Sequence, residues 1–478
     1  MHIKSKYQLF ITGKYITKEA GKMRAEKTKK VASVKDLTEG SPMKLIMGFA
    51  FPMFLGLLFQ QFYSMVDTMI VGRYLGVDPF AGVGSTSSLN FIVIGFCMGF
   101  CSGFAVLVAQ RFGAKDYRGL RKMVANSIWL SVIFGVLLTI LMIVFCKPML
   151  RLMNTPDNIF EYAYIYIVII FAGIPCTILY NITAAIIRAL GDSKSPIIFL
   201  AISSIINIGL DYILIVIAGM NVEGAALATV ISQGVSGVIC IFFMKKRFDI
   251  LKMEQGDMKP ESSYMVSLMG VGLPMGLQYS ITGIGSVILQ TAVNGLGSLY
   301  VASMTAGTKI TSLLMCPLDA LGQTMAPYAG QNVGAGKIDR VSKGLKSAVI
   351  CGFAVSAVMM GVVLLFSDQL AMLFMDEKND QILSLNHRFL VINVAFYFLL
   401  TFVNTVRFTI QGMGFSGFAV IAGVFEMVAR SIAGAIFVPI FGFTGACIAS
   451  PLAWLFADSF LIPAFFHCRK KLTRAIEK

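Results

Sequence analysis

Apolar residues run through this 478-residue chain in long blocks, not in the short alternations of a half-buried strand or the one-sided stripe of a surface helix. A block of about 20 apolar residues is what an α-helix needs to cross the hydrocarbon core of a bilayer. Windows of that kind predict twelve spans, at residues 44–72, 79–109, 122–146, 159–190, 195–218 and 222–245 in the first half of the chain, and at 264–293, 298–331, 342–366, 383–412, 415–440 and 443–467 in the second. Several exceed a bilayer's thickness, which predicts tilt or kinking. Pro52, Pro175, Pro274, Pro317 and Pro327 mark where kinks would fall. Ser41 and Pro42 predict an N-cap and a first-turn proline for span 1. Ahead of them, residues 1–40 read as a polar, basic, disordered tail drawn to anionic lipid. That tail has no apolar core leading to a small-residue cleavage site, so it is a poor signal peptide.

The pattern repeats after six spans. VAQRFGAKDYRGLRK from Val108 resembles AGQNVGAGKIDRVSK from Ala329, which sets Gln110 on Gln331, Gly113 on Gly334 and Ala114 on Ala335. NITAAIIRALGDS from Asn181 lines up with NTVRFTIQGMGFS from Asn404, and VEGAALA from Val222 with FTGACIA from Phe443. LGVDPFAGVGS from Leu75 likewise resembles LGSLYVASMTA from Leu296, and the offset stays between 221 and 223 residues throughout. Six spans return the chain to its starting side, so the halves are parallel and their pseudo-axis runs along the membrane normal. The predicted organisation is a tail (1–40), a first lobe (41–247), a hydrophilic linker (248–262), a second lobe (263–467) and a basic C-terminal tail (468–478).

Composition agrees: 56% of residues are hydrophobic and 14% charged, against about 25% charged in soluble domains. The fold class is therefore an all-α integral membrane protein. A net charge of +15 would suit nucleic acid, but the lysines and arginines collect in loops and tails. With the N-terminus inside, 32 fall on the cytoplasmic side, two of them assigned to the loop between spans 4 and 5, and 5 on the other side. That bias predicts both termini in the cytoplasm, and partners in the bilayer and not in nucleic acid. Nine cysteines stand singly in apolar runs, and the three histidines lie in the N-terminal tail or close to the ends of spans. Neither a disulfide framework, a zinc site nor a buried histidine relay is supported.

Candidate chemistry lies inside the spans. Asp67 is the single charge in the apolar run of span 1, and an intramembrane carboxylate usually faces a partner or a wet cavity. Asn207 and Asp211 on span 5 are four residues apart and share a face, and Thr229 lies on span 6. These oxygens suit a shared proton, a sodium ion bound by hard ligands, or a structural hydrogen-bond network. The second half carries a different set: Lys309 and Asp319 on span 8, Arg407 on span 10, Glu426 and Arg430 on span 11, and Asp458 on span 12. Glu426 and Arg430 are i,i+4 and predict an intrahelical ion pair. Lys309 predicts snorkelling from a span end, and Asp319 is a weak candidate for a substrate or cation contact. The 28 Met and 38 Phe suit a cavity for varied apolar cations. Phe59, Gln60, Gln61 and Tyr63 are its best candidates, being within two turns of Asp67.

At these residues the chain resembles the multidrug and toxic compound extrusion (MATE) family, over residues 36–471. The resemblance rests on PMFLGLLFQQFYSMVDTMIVGRYLG, on VAQRFGA with its echo GQNVGA, on RALGDSKSP and on EGAALATVISQ. It implies two pseudo-symmetric six-helix lobes forming a V-shaped central cavity that opens alternately to either side, with Asp67, Asn207, Asp211 and Thr229 as the cation site of the first lobe. It also implies a bacterial inner-membrane antiporter, read as a monomer with no cofactor, that exports amphipathic or cationic compounds against protons or sodium. Another branch of the family uses a glutamate in span 7, where GLPMGLQYSITG offers only Gln278 and Thr282. The alternative is a lipid-linked saccharide flippase of the same superfamily. A membrane-embedded enzyme is disfavoured, since neither HExxH nor GxSxG with an intramembrane histidine occurs.

Overall fold

The computed structural model describes residues 36–153, 155–372 and 380–477. Among them every regular element is helical. The first half contains α1 (Pro42–Leu75), α2 (Val77–Ser85), α3 (Ser87–Gly113), α4 (Tyr117–Leu152), α5 (Asp157–Ala172), α6 (Ile174–Ala189), α7 (Ser195–Asp211) and α8 (Val222–Arg247). The second contains α9 (Ser262–Asn294), α10 (Ser298–Gly334), α11 (Ile338–Met372), α12 (Asp380–Ala395), α13 (Tyr397–Gly412), α14 (Ser416–Ile432), α15 (Val438–Phe441) and α16 (Phe443–Glu477). Eight helical segments are long and apolar enough to cross a membrane alone, and two bent pairs, α5 with α6 and α12 with α13, bring the number to ten. The remaining two spans are α9 and α10, helices of 33 and 37 residues. Their sequences are diluted by Gly, Ser, Thr and Gln because other helices, more than lipid, surround them. Apolar side chains face outward most on α4 and α11, where Val144, Leu364 and Leu365 are more than half exposed.

The kinks follow the fold more than the prolines. Pro52, Pro274, Pro317 and Pro327 sit inside unbroken helices. The sharp bends are a 47° turn between α5 and α6, where Pro175 opens the new helix, and a 49° turn between α12 and α13 at Phe396, with no proline near. These two breaks occupy matching places in the repeat. So do two π-helical turns, Tyr212–Ile217 after α7 and Ala433–Phe437 after α14. At the start of α1, Pro42 takes the first turn as expected, but Ser41 makes no side-chain cap bond.

The lobes interlock at the end of the molecule that carries the basic loops, called here the basic face. The first turns of α1 (Ile46, Phe49, Ala50, Met53) pack into the core of the second half. Reciprocally, Leu268, Val271 and Met275 of α9 pack into the core of the first. The segments ahead of these helices cross over too. Residues 36–40, expected to belong to a disordered tail, are docked on the second half: the Leu37 N–H donates to Gln331 Oε1 (2.9 Å), Lys337 Nζ to the Thr38 carbonyl (3.0 Å) and Arg340 Nη2 to the Gly40 carbonyl (3.0 Å). Burial of Leu37 explains their order. The rest of that tail, residues 1–35, lies outside the described residues. The linker docks on α4, where Arg121 pairs with Glu254 and Asp257 (both 2.6 Å) and Trp129 Nε1 donates to the Met258 carbonyl (2.9 Å). The C-terminal tail continues α16 as helix to Glu477.

The helix ends that meet across the pseudo-axis are those singled out by the repeat. A Cβ on Gly113 would strike the Gln331 backbone, and one on Gly334 the Gln110 backbone, so α3 and α10 cross there main chain to main chain. Gln110 Nε2 donates to the Gly412 carbonyl (3.0 Å) and Gln331 Nε2 to the Ala189 carbonyl (2.8 Å). Each lobe thus donates to the end of the other lobe's bent pair.

Candidate functional site

Asp67 projects from α1, and Asp211 is the last residue of α7, immediately before the first π-helical turn. Asp211 is fully buried and Asp67 half-buried. The two carboxyls are neighbours. Neither Asp211 oxygen, nor Asp67 Oδ1, nor Asn207 Oδ1 has a hydrogen-bond partner among the described residues. Asn207 Nδ2 reaches Thr229 Oγ1 at 3.5 Å. Predicted from sequence as one group, Asp67, Asn207, Asp211 and Thr229 therefore lie around one spot. Ionised carboxylates only accept hydrogen bonds. These donor-poor buried oxygens could take up a proton or a hard monovalent cation, for which an all-oxygen donor set such as this one is suited.

A cavity of about 140 Å³ adjoins this group, walled by Gln60 and Tyr63 of α1, Asn181 and Arg188 of α6, Asn207 of α7 and Gln233 of α8, with Gln323 reaching in from α10. Tyr63 and Asn207 stand one turn before Asp67 and Asp211 on their helices, so they separate the acids from the cavity. Two of the four α1 candidates, Gln60 and Tyr63, line the cavity, whereas Phe59 is exposed and Gln61 is off its wall.

The second-half candidates are not part of it. Gln278 is buried and accepts from Gln411 Nε2 (3.3 Å). Thr282 donates to the Gln278 carbonyl (3.0 Å) and through its own carbonyl accepts from Arg430 Nη1 (3.2 Å). Asp319 accepts from Asn404 Nδ2 (2.8 Å). The expected intrahelical Glu426–Arg430 pair is present at 3.9 Å, and it is joined by a closer, buried pair between Glu426 and Arg407 of α13 that spacing along one helix did not reveal. Helix packing places Arg407 against Glu426, while Arg430 turns to the Thr282 carbonyl. Asp458 is buried, and neither carboxyl oxygen has a partner among the described residues. Lys309 is exposed, as snorkelling requires.

Sequence reasoning missed Tyr166 on α5, a buried phenol within electrostatic range of Asp67 and Asp211. It also missed Arg188, one of the two charges assigned to the loop between spans 4 and 5. The RALGD motif contains it, but a base at a span end reads as an anchor.

Twelve helical spans in two repeated lobes, a membrane-buried acid pair and a cavity beside it define a polytopic membrane transporter. The MatE family model matches this chain twice, over residues 52–213 and 274–436, and the chain belongs to that family. Among curated relatives it is 28% identical over 373 residues to the probable multidrug resistance protein YoeA of Bacillus subtilis, covering 77% of this chain and 80% of that one. It is 24% identical over 346 residues to the multidrug export protein MepA of Staphylococcus haemolyticus, covering 72% and 76%. A solved multidrug resistance MATE family transporter of the MOP superfamily, in an outward-facing conformation, superposes with a TM-score of 0.85 at 26% identity, over 94% of this chain and 99% of that one.

Proposed function

We propose that this protein is a secondary active exporter of amphipathic compounds, cationic ones among them, driven by inward movement of protons or sodium ions across a bacterial cell membrane. The carrying observation is the neighbouring pair Asp67 and Asp211, whose buried oxygens lack donors beside the cavity. Filling that pair with a proton or sodium ion favours whichever arrangement of the lobe binds the ion better, and only such a difference couples ion to drug. Tyr63 and Asn207 are the link, since each touches the cavity and sits one turn from an acid. The basic face is assigned to the cytoplasm by its lysines and arginines. The lipid-linked saccharide reading gains no support from relatives described as drug exporters.

The test is dye efflux from vesicles under an imposed proton or sodium gradient, at equal protein. Asp67→Asn and Asp211→Asn should each abolish gradient-driven efflux. The double variant should be little worse than either single, because residues acting as one unit are not additive. Wild-type rates in both single variants would make the pair structural.

A further inference from the structure

Arg188 is the single formally charged side chain on the cavity wall. Its guanidinium has no hydrogen-bond or ion-pair partner among the described residues, and the ionisable groups in electrostatic range are Tyr180, Tyr279, Cys101 and Cys240, with no carboxylate among them. The second half treats its buried arginine differently, closing Arg407 onto Glu426. A half-buried guanidinium that faces the cavity and has no counter-charge among the described residues is free to receive an anion from it.

Its neighbours complete a donor set. Thr177 Oγ1 donates to Gln233 Oε1 (2.5 Å), which leaves the Gln233 amide N–H groups for the cavity. Gln60 and Gln323 add further amides, and Met53, Leu57 and Met98 supply an apolar wall. We infer that the N-lobe cavity is an anion-recognition site, with Arg188 anchoring a carboxylate or similar anionic head group on the exported amphipath. The inference rests on the efflux reading above and narrows its substrates: the preferred compound couples an apolar or cationic body to an anionic head, so a zwitterion fits. The planar fork of arginine suits such a group bidentately, where lysine offers a point charge.

Binding of a rhodamine with a free benzoate, and of the ethyl ester of the same dye, would be measured by fluorescence polarisation on the full-length protein in zwitterionic nanodiscs. Wild type should bind the benzoate about tenfold or more tighter than the ester, the scale of one charge-assisted hydrogen bond. Arg188→Ala should erase that preference by weakening benzoate binding far more than ester binding, and Arg188→Lys should keep part of it. Arg188→Ala should not lower the melting temperature, because no internal partner is stranded; a clear drop would mean a structural role and overturn the inference. Equal binding of both dyes by wild type, or equal losses for both in the alanine variant, would overturn it as well. Competition by added phosphatidylglycerol, confined to proteins with Arg188, would reassign the site to a lipid head group and overturn the substrate reading. Ester efflux without an Arg188-dependent benzoate preference defeats only this inference, whereas benzoate binding through Arg188 without gradient-driven efflux of either dye defeats only the exporter reading.

Discussion

Removing the Arg407 side chain would leave Glu426 as a buried carboxylate with Arg430, 3.9 Å away, as its remaining ion-pair contact. Breaking a buried pair from one side typically costs about 3–5 kcal/mol. Arg407→Met should therefore lower the melting temperature and yield of purified protein sharply, and Glu426→Gln added to it should recover part of the loss. A double variant no better than the single would mean the pair is not the coupled unit. Legibility at this scale followed geometry along a helix. Asn207 and Asp211 were readable because i,i+4 spacing fixes a shared face, and the intramembrane cost of Asp67 marked it without any partner in view. Spacing along one helix gave Glu426 its 3.9 Å pair with Arg430 but could not show the closer partner, Arg407, which comes from another helix. Arg188 was illegible for a related reason: from sequence, a cation at a span end and a cation inside a cavity look alike, and only packing tells them apart.

At the scale of elements, the α3–α10 crossing depends on the absence of side-chain atoms at Gly113 and Gly334. Gly113→Val should force the helices apart and cost several kcal/mol if the contact holds, since overpacking a close contact costs typically 1–3 kcal/mol or more. Cysteines placed on the basic face should then become more reactive to a water-soluble maleimide than in the parent. Unchanged labelling would mean that the crossing tolerates bulk. The docked linker makes a second case. Burial alone would raise the Asp257 carboxyl, but its bonds to Arg121 and the Glu254 N–H outweigh this and hold it below the usual carboxylate range. A depressed acid contributes its full stability above its unfolded value of about 3.9, and loses it as pH falls through the lower folded value. Protease cleavage in the linker should stay slow from neutral pH down to about 4 and rise only below that, while Asp257→Asn should be cleaved readily at neutral pH. Twelve spans and their repeat were legible because apolar length and a constant offset survive divergence. The bends were legible only in part: Pro175 marked the break between α5 and α6, whereas its counterpart at Phe396 has no proline to announce it.

Across the whole molecule, the charge bias assigns both termini and the linker to one side. Reporter fusions at Gly256 and after Lys478 should both read cytoplasmic, and an external signal at either would break the twelve-span order. The interlocked basic face carries a consequence of another kind. Gln110 serves Gly412 as Gln331 serves Ala189, the opening of α1 fills the second core as that of α9 fills the first, and each leading segment rests on the opposite half. When contact i to j is answered by j to i, the surface is isologous, the form in which two identical subunits meet. The covalent join between the halves is then a tether and not a structural necessity. Two polypeptides divided at Gly256 should find each other in one membrane and reconstitute a working transporter, whereas either alone would lack part of its own core and be degraded: the single chain is built as a swapped dimer.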